Sequence, residues 1–271
     1  MARLAVVLAV AAVLAAACGS DDDGGAGDDG GATGDGAPRA DAADIDAAGP
    51  RRIADSVIFI QRAGQATIRF SDQPDGIGSC YSEPVAGCEF QTCMPGVAAP
   101  PHPDAGVVSV TPATSAGQSY LPDDGGVYPA TPSVTWEDGE SVLIEAVGAE
   151  VPAFQVDLTG PGDVATVVSP PYPNPAIPRD QALLVEWTGA ESFVAIALSC
   201  SVAPDFFQLR CPFPDGTTAE VPVVALQRLP ACAMGNLYVF TEDRRVIEPS
   251  ADWPIRVSTR GAIRSTQATI E

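Results

Sequence analysis

From Arg51 to the C-terminus, turn-forming Gly and Pro recur every eight to twelve residues and leave almost no stretch with helical apolar spacing. A backbone interrupted that often satisfies its N–H and C=O groups most readily in short strands paired across the chain. The apolar residues agree. In Ala153–Thr159, Phe154, Val156 and Leu158 fall on one side, and Gln155, Asp157 and Thr159 on the other, the two-residue period of a half-buried strand. The single helix candidate is a turn or two at Val223–Leu229, enclosed by Pro222 and Pro230.

Ser56–Gln61 and Ala66–Phe70 flank Arg62-Ala63-Gly64-Gln65 and read as a hairpin. Further strands are expected at Val107–Thr111, Val134–Trp136, Ser141–Val147, Leu183–Trp187, Phe193–Ser201, Phe206–Phe213, Leu237–Thr241 and Pro254–Thr259. Ser71–Pro103, rich in Gly, Pro and Cys, reads as loop. Six prolines between Gly160 and Arg179 cannot donate to a sheet ladder, so this segment reads as a stiff connector, apart from Val164–Val168. The expected fold class is therefore all-β, with two immunoglobulin-like β-sandwich domains at residues 51–162 and 181–271 joined by a Pro-rich connector at 163–180. A faint internal echo fits two halves: a Trp, a Gly-containing turn, then Glu-Ser and an apolar strand, at Trp136–Leu143 and again at Trp187–Val194.

The N-terminus carries a different signal. Arg3 precedes an unbroken Leu/Val/Ala run from Leu4 to Ala17, too short to span a membrane, where roughly 20 apolar residues are needed. The run ends in Leu14-Ala15-Ala16-Ala17-Cys18 and is followed by Gly19-Ser20-Asp21. This ending resembles the lipobox of bacterial lipoproteins. The resemblance implies a signal peptide at residues 1–17, cleavage before Cys18, and acylation of Cys18 with diacylglyceryl and palmitate-type chains. Each buried acyl methylene contributes about 0.8 kcal/mol to anchoring. Gly19 rather than Asp after Cys18 implies, by the enterobacterial sorting pattern, a cell outer membrane lipoprotein, periplasmic or surface-exposed. Residues 19–50 hold nine Gly, nine Asp and one branched aliphatic, Ile45, so the lipidated end is expected to continue as a disordered acidic tether. Its Asp-Gly runs lack the spacing of an EF-hand loop or of a calcium β-roll.

The charge balance excludes some partners. The chain contains fourteen Arg and no Lys against thirty-five Asp plus Glu, a formal net charge of −21. Nucleic-acid binding relies on neutralising phosphates, and a chain this acidic is a poor candidate for it. Docking on anionic lipid headgroups is disfavoured for the same reason. Cys18 apart, six cysteines remain in an exported chain and read as disulfides. Cys200 and Cys211 each follow apolar residues on one strand face, so a bridge across that hairpin is expected, with Cys232 as the rival partner. One local pair is expected among Cys80, Cys88 and Cys93. Three cysteines per half also require either a bridge between the halves or two free thiols.

Candidate chemistry is sparse. His102 is the only His, in Pro100-Pro101-His102-Pro103-Asp104, and Asp104 suggests an oriented pair. A hydrolase would also need a nucleophile, and the nearest approach to a Gly-x-Ser-x-Gly elbow, Gly117-Gln118-Ser119-Tyr120-Leu121, lacks the second Gly. The Cys spacings do not match a structural zinc site. Trp136, Trp187 and Trp253 suggest either a sugar-stacking platform or core positions, and the phase of Trp187 with Leu183 and Val185 favours the core. No catalytic residue, metal ligand or cofactor site is assigned.

The body resembles uncharacterised lipoproteins of myxobacteria and their relatives. The matching features are Cys18-Gly19-Ser20-Asp21, Gly148 with Val151-Pro152-Ala153-Phe154, Val185-Glu186-Trp187-Thr188-Gly189, and Cys211-Pro212-Phe213 followed by Val221-Pro222. That resemblance implies sandwich-like domains behind an acidic linker and carries no activity. The expected role is non-enzymatic, binding or structural, at the cell envelope, with an envelope protein or a glycan as partner. A glycan-binding or adhesion module is the alternative, and a secreted hydrolase using His102 a more distant one.

Overall fold

The computed structural model describes residues 51–52, 56–70, 80–94, 103–129, 134–190, 192–250 and 253–271. The signal peptide, Cys18, the acidic tether and His102 lie outside these residues.

In chain order the first strands are β1 (Arg51–Arg52), β2 (Val57–Gln61), β3 (Ala66–Arg69), β4 (Cys80–Val85), β5 (Cys88–Cys93), β6 (Val108–Pro112) and β7 (Gln118–Tyr120). They are followed by β8 (Glu140–Ala146), β9 (Phe154–Gly160), β10 (Val164–Ser169), β11 (Ala176–Ile177), β12 (Leu183–Gly189) and β13 (Ser192–Val202). The last are β14 (Asp205–Asp215), β15 (Thr218–Val221), the one-turn helix α1 (Val223–Leu226), β16 (Cys232–Ile247), β17 (Ile255–Arg260) and β18 (Arg264–Ile270). The chain is thus nearly all β. Burial follows alternation where the sequence shows it: Val142, Ile144 and Ala146 of β8 and Val156 and Leu158 of β9 are buried. Helix α1 starts at Pro222, whose extended backbone (φ −65°, ψ 145°) caps it, and it buries Ala225 and Leu226.

Eleven strands form one large sheet in the order β1-β4-β5-β14-β13-β16-β17-β2-β3, with β18 beside β16 and β11 beside β18. Strands β17 and β18 are two parts of one long run alongside β16. Arg260 lies opposite Glu242 and Arg264 opposite Val239, so residues 261–263 stand against only 240 and 241. That is a bulge. The 16-residue β16 and this interrupted partner form a ribbon along the molecule.

Two smaller sheets pack on one face of the large one. The sheet β10-β12-β15 covers a core containing Val185, Trp187, Val194, Ile196, Leu209, Leu237 and Val239. The sheet β7-β6-β8-β9 covers a second core with Ile58, Ile60, Phe70, Trp136, Ile144 and Val257. Each core is sandwich-like, lying between two sheets. The units are not the consecutive lengths of chain expected on either side of 163–180. The β4–β5 hairpin joins β14, β17 pairs with β2 in parallel, and each core draws on both sides of that segment. The stretch entering the proline-rich segment is fastened to the ribbon. Thr159 N–H donates to Asp243 at 2.7 Å, Thr259 Oγ1 donates to Thr159 O at 2.6 Å, and Thr241 Oγ1 donates to Gly162 O.

Three disulfides are present, and their pairing follows register. Cys80 stands opposite Cys93 in β4–β5, and the two are bonded across 13 residues of sequence. Cys88 is bonded to Cys211 across 123 residues, tying the early hairpin to β14. Cys200 is bonded to Cys232. The expected Cys200–Cys211 bridge is therefore replaced by the rival pairing. Cys200 faces Phe207 and Cys211 faces Ile196, an offset of four residues, or about 13 Å along the strand, beyond the reach of a disulfide.

Candidate functional site

The face of the large sheet turned away from both cores carries the least expected chemistry. Alternation from the core residues places on it Glu89 and Gln91 of β5, Gln208 and Arg210 of β14, and Ala195, Ala197 and Ser199 of β13. It continues with Tyr238, Phe240, Glu242 and Arg244 of β16, Arg256, Ser258 and Arg260 of β17, Val57 and Phe59 of β2, and Arg69 of β3. Ala195, Ala197, Tyr238 and Phe240 form a small apolar patch at its middle. Among the described residues Arg69, Arg210, Arg244, Arg256 and Arg260 and two carboxylates, Glu89 and Glu242, fall on this face.

The sheet curls toward this face, and two distances require it. Glu89 faces Arg210, Arg210 faces Ala197 and Ala197 faces Tyr238, six residues short of Arg244. In a flat sheet, three strand spacings and six residues would separate Glu89 from Arg244 by about 25 Å. Their side-chain atoms nevertheless meet at 3.1 Å. Likewise β1 and β2 lie seven strand positions apart, about 34 Å in a flat sheet. The five steps from Arg52 to Val57 span at most about 18 Å of extended chain. Twist alone gives a propeller; the closure of these gaps requires coiling as well. The arginine-bearing face is the inside of that curl.

Within it, Glu242 has a fully buried side chain (0 % exposed). It accepts hydrogen bonds from Arg210 Nη2 and, at 2.7 Å, from Arg260 Nε, and lies 2.6 Å from Arg260 Nη2. The Arg260 guanidinium lies over both Phe59 (4.0 Å to the ring centre) and Phe240 (4.7 Å), a cation–π geometry. Glu89 accepts from Arg244 at 3.1 Å and from Gln91 Nε2 at 3.1 Å. Burial alone would raise the Glu89 carboxyl, but Arg244, Arg210 and Arg256 outweigh it and hold the group at about 2. The same contest at Glu242, between burial and the charges of Arg210, Arg260 and Arg244, ends well below the usual carboxylate range. Both carboxylates stay ionised near neutrality, each held by charge-assisted hydrogen bonds from arginine. Two buried polar atoms, Gln91 Oε1 and Arg210 Nε, find no partner among the described residues.

The other candidates separate cleanly. Trp136 and Trp187 are buried, one in each core, with indole N–H groups donating to Pro161 O (3.1 Å) and Ala190 O (2.9 Å). Neither offers a ring face to a sugar. Trp253 is half-buried against the second core. Asp104 accepts from Gly106 N–H at 2.5 Å and from Tyr128 O–H at 3.3 Å, so it is committed to its own loop. Ser119 lies in β7 opposite Ser109, in an antiparallel pair rather than at a strand-to-helix turn. Among the described residues no group of three His, Cys, Asp or Glu side chains is placed to hold a metal. A shallow groove of about 450 Å³ between β6, β8 and β9 is lined by Ser109, Glu145, Ala146, Val147, Ala153, Phe154 and Gln155, with a single carboxylate.

The arginine network has only a partial trace in the sequence. The alternation Arg256, Ser258, Arg260 against Ile255 and Val257 marks a strand with one polar side. It carries no information on what that side meets. Compared with protein-family models and with the curated proteins, the chain matches none.

Proposed function

We propose that this chain is a lipid-anchored cell-envelope protein with a non-enzymatic binding or structural role. Residues 1–17 direct export, Cys18 carries the acyl chains in the outer membrane, and residues 19–50 present the folded body. We read that body as two immunoglobulin-like sandwiches fused through the shared sheet. One observation carries the export reading: all six cysteines of the body are engaged in disulfides, the pattern of an oxidising compartment. The lipobox-like Leu14–Cys18 adds the anchor. The two core tryptophans, each facing away from solvent, weigh against the glycan-stacking alternative.

The test is metabolic labelling with a radioactive fatty acid. The native protein is expected to carry label and to fractionate with the outer membrane, and Cys18→Ser to carry none and be released. Label that persists in Cys18→Ser, or never appears in the native protein, overturns the proposal.

A further inference from the structure

We propose that the groove on the outer face of the sheet β7-β6-β8-β9 binds a neutral sugar unit of a glycan. The inference rests on the binding role proposed above and is independent of acylation at Cys18.

Register builds the floor of the groove. Ser119 of β7 lies opposite Ser109 of β6, Ser109 opposite Glu145 of β8, and Glu145 opposite Gln155 of β9. Directly paired residues share a sheet face, so these four side chains form one row across the strands, about 14 Å long. The row points outward, because the neighbouring Val108, Ile144 and Val156 are buried in the second core. The Ser109 and Ser119 hydroxyl oxygens are 3.3 Å apart and position one another. The Glu145 carboxylate and the Gln155 amide bond to no other side chain or backbone group among the described residues, which leaves them open to a ligand.

The end of the groove is held rigidly. It is the β8–β9 turn, and three backbone bonds fasten that turn to the segment before β6. Val147 N–H donates to Val107 O at 3.1 Å, and Gly148 N–H to Ala105 O and Val151 N–H to Asp104 O, both at 3.0 Å. Asp104 N–H donates back to Glu150 Oε2 at 3.0 Å. Gly106, at φ +71°, lies so close to Val147 that a Cβ there would collide with a methyl group. Val147 is thus fixed although 67 % exposed, and with Ala153 it makes this end apolar. A site already in its bound shape loses less freedom on binding.

The chemistry of the lining selects the ligand. A hydroxyl, a carboxylate and an amide in one row supply the mixture of donors and acceptors that adjacent sugar hydroxyls require. The apolar end suits the C–H side of the same ring. A volume of about 450 Å³ is that of a small-molecule site. No Arg lines the groove, and Glu145 together with a net charge of −21 repels an anionic ligand. One part-exposed carboxylate pairs only weakly with a cation. Hydrogen bonding of this kind needs no aromatic platform, so the burial of Trp136 and Trp187 does not bear on it.

The experiment is saturation-transfer NMR on the full mature chain with millimolar cellobiose, maltose, lactose and diacetylchitobiose as probes, followed by titration of any that respond. At least one is expected to take up saturation on its ring C–H protons. Folded Glu145→Ala and Gln155→Ala variants should each weaken its Kd about tenfold, the loss of one or two hydrogen bonds. Glu220→Ala, which removes the same charge from an exposed position on β15, should leave it unchanged. A native chain that binds none of the four sugars overturns the proposal. So does binding that survives both groove substitutions or weakens equally in Glu220→Ala. A hexa-arginine peptide that binds the native chain, loses that binding in Glu145→Ala and meets no competition from the sugars would make the groove a cation site and overturn it too. None of these outcomes alters the result of the fatty-acid labelling, so the two readings fail separately.

Discussion

Glu242→Gln removes one negative charge from between two guanidinium groups while keeping the side chain's size. Glu242 is fully buried, and the Arg210 and Arg260 side chains are 12 % and 13 % exposed, so water screens the pair little. The variant leaves two buried cations facing a neutral amide that can accept from them only weakly. Breaking a buried ion pair in this one-sided way costs about 3–5 kcal/mol. For a chain of this size, 1 kcal/mol corresponds to roughly 2–4 °C in Tm, so the variant should melt about 6–20 °C lower. The assay is urea unfolding followed by tryptophan fluorescence, which reports on both cores because each buries one Trp. Glu242→Leu combined with Arg260→Met should be milder than Glu242→Gln, since it removes charge of both signs. A cost below about 1 kcal/mol for Glu242→Gln would show that the network contributes little and would refute the reasoning.

Acid should act through the same groups. Glu89 is depressed to about 2 in the fold, so the stability it contributes is complete above the ordinary carboxylate range and is lost as pH falls from that range toward about 2. Glu89→Gln should therefore flatten part of the acid limb of a stability–pH curve measured by urea midpoints. Among the disulfides, the loop-entropy model ranks Cys88–Cys211, which spans 123 residues, above Cys80–Cys93, which spans 13. Paired Cys→Ala changes should cost about 4–5 and about 3 kcal/mol respectively, read from denaturant midpoints. Gly160→Ala places a methyl group against the Trp136 ring, which leaves no room for it. A cost of about 1–3 kcal/mol is expected, with a change in near-ultraviolet circular dichroism from that indole.

How much of this was legible depends on the range of the interaction involved. Strong local alternation locates β8, β9 and β17, and the prolines around 223–229 frame α1. The expected strand at Val134–Trp136 does not form. Trp136 is buried there from irregular backbone, so the apolar signal was that of a core position without a ladder. The β4–β5 hairpin was hidden in a stretch that reads as loop, because Gly, Pro and Cys outnumber β-formers around it. Only Leu237–Thr241 of β16 stood out, since Glu242 to Arg245 look like a solvated end while two of them lie in an ion-pair network. Partners 100 or more residues apart, such as β5 with β14 or β2 with β17, leave no local trace. The same holds for the disulfides: facing direction put Cys200 and Cys211 on one side of the sheet, and only register separates them. The arginine face was the least legible of all. Alternation marks the polar side of a strand but says nothing of a sheet curling until that side becomes an interior.

The curl is best tested by a double-mutant cycle on Glu89 and Arg244, which lie about 25 Å apart in any flat version of this sheet. Their side chains are 18 % and 16 % exposed, and the curled sheet predicts a favourable coupling of about 1–2 kcal/mol from Glu89→Gln, Arg244→Gln and the pair. A coupling of zero, with all three variants folded, would place the two residues out of contact and contradict the architecture described above.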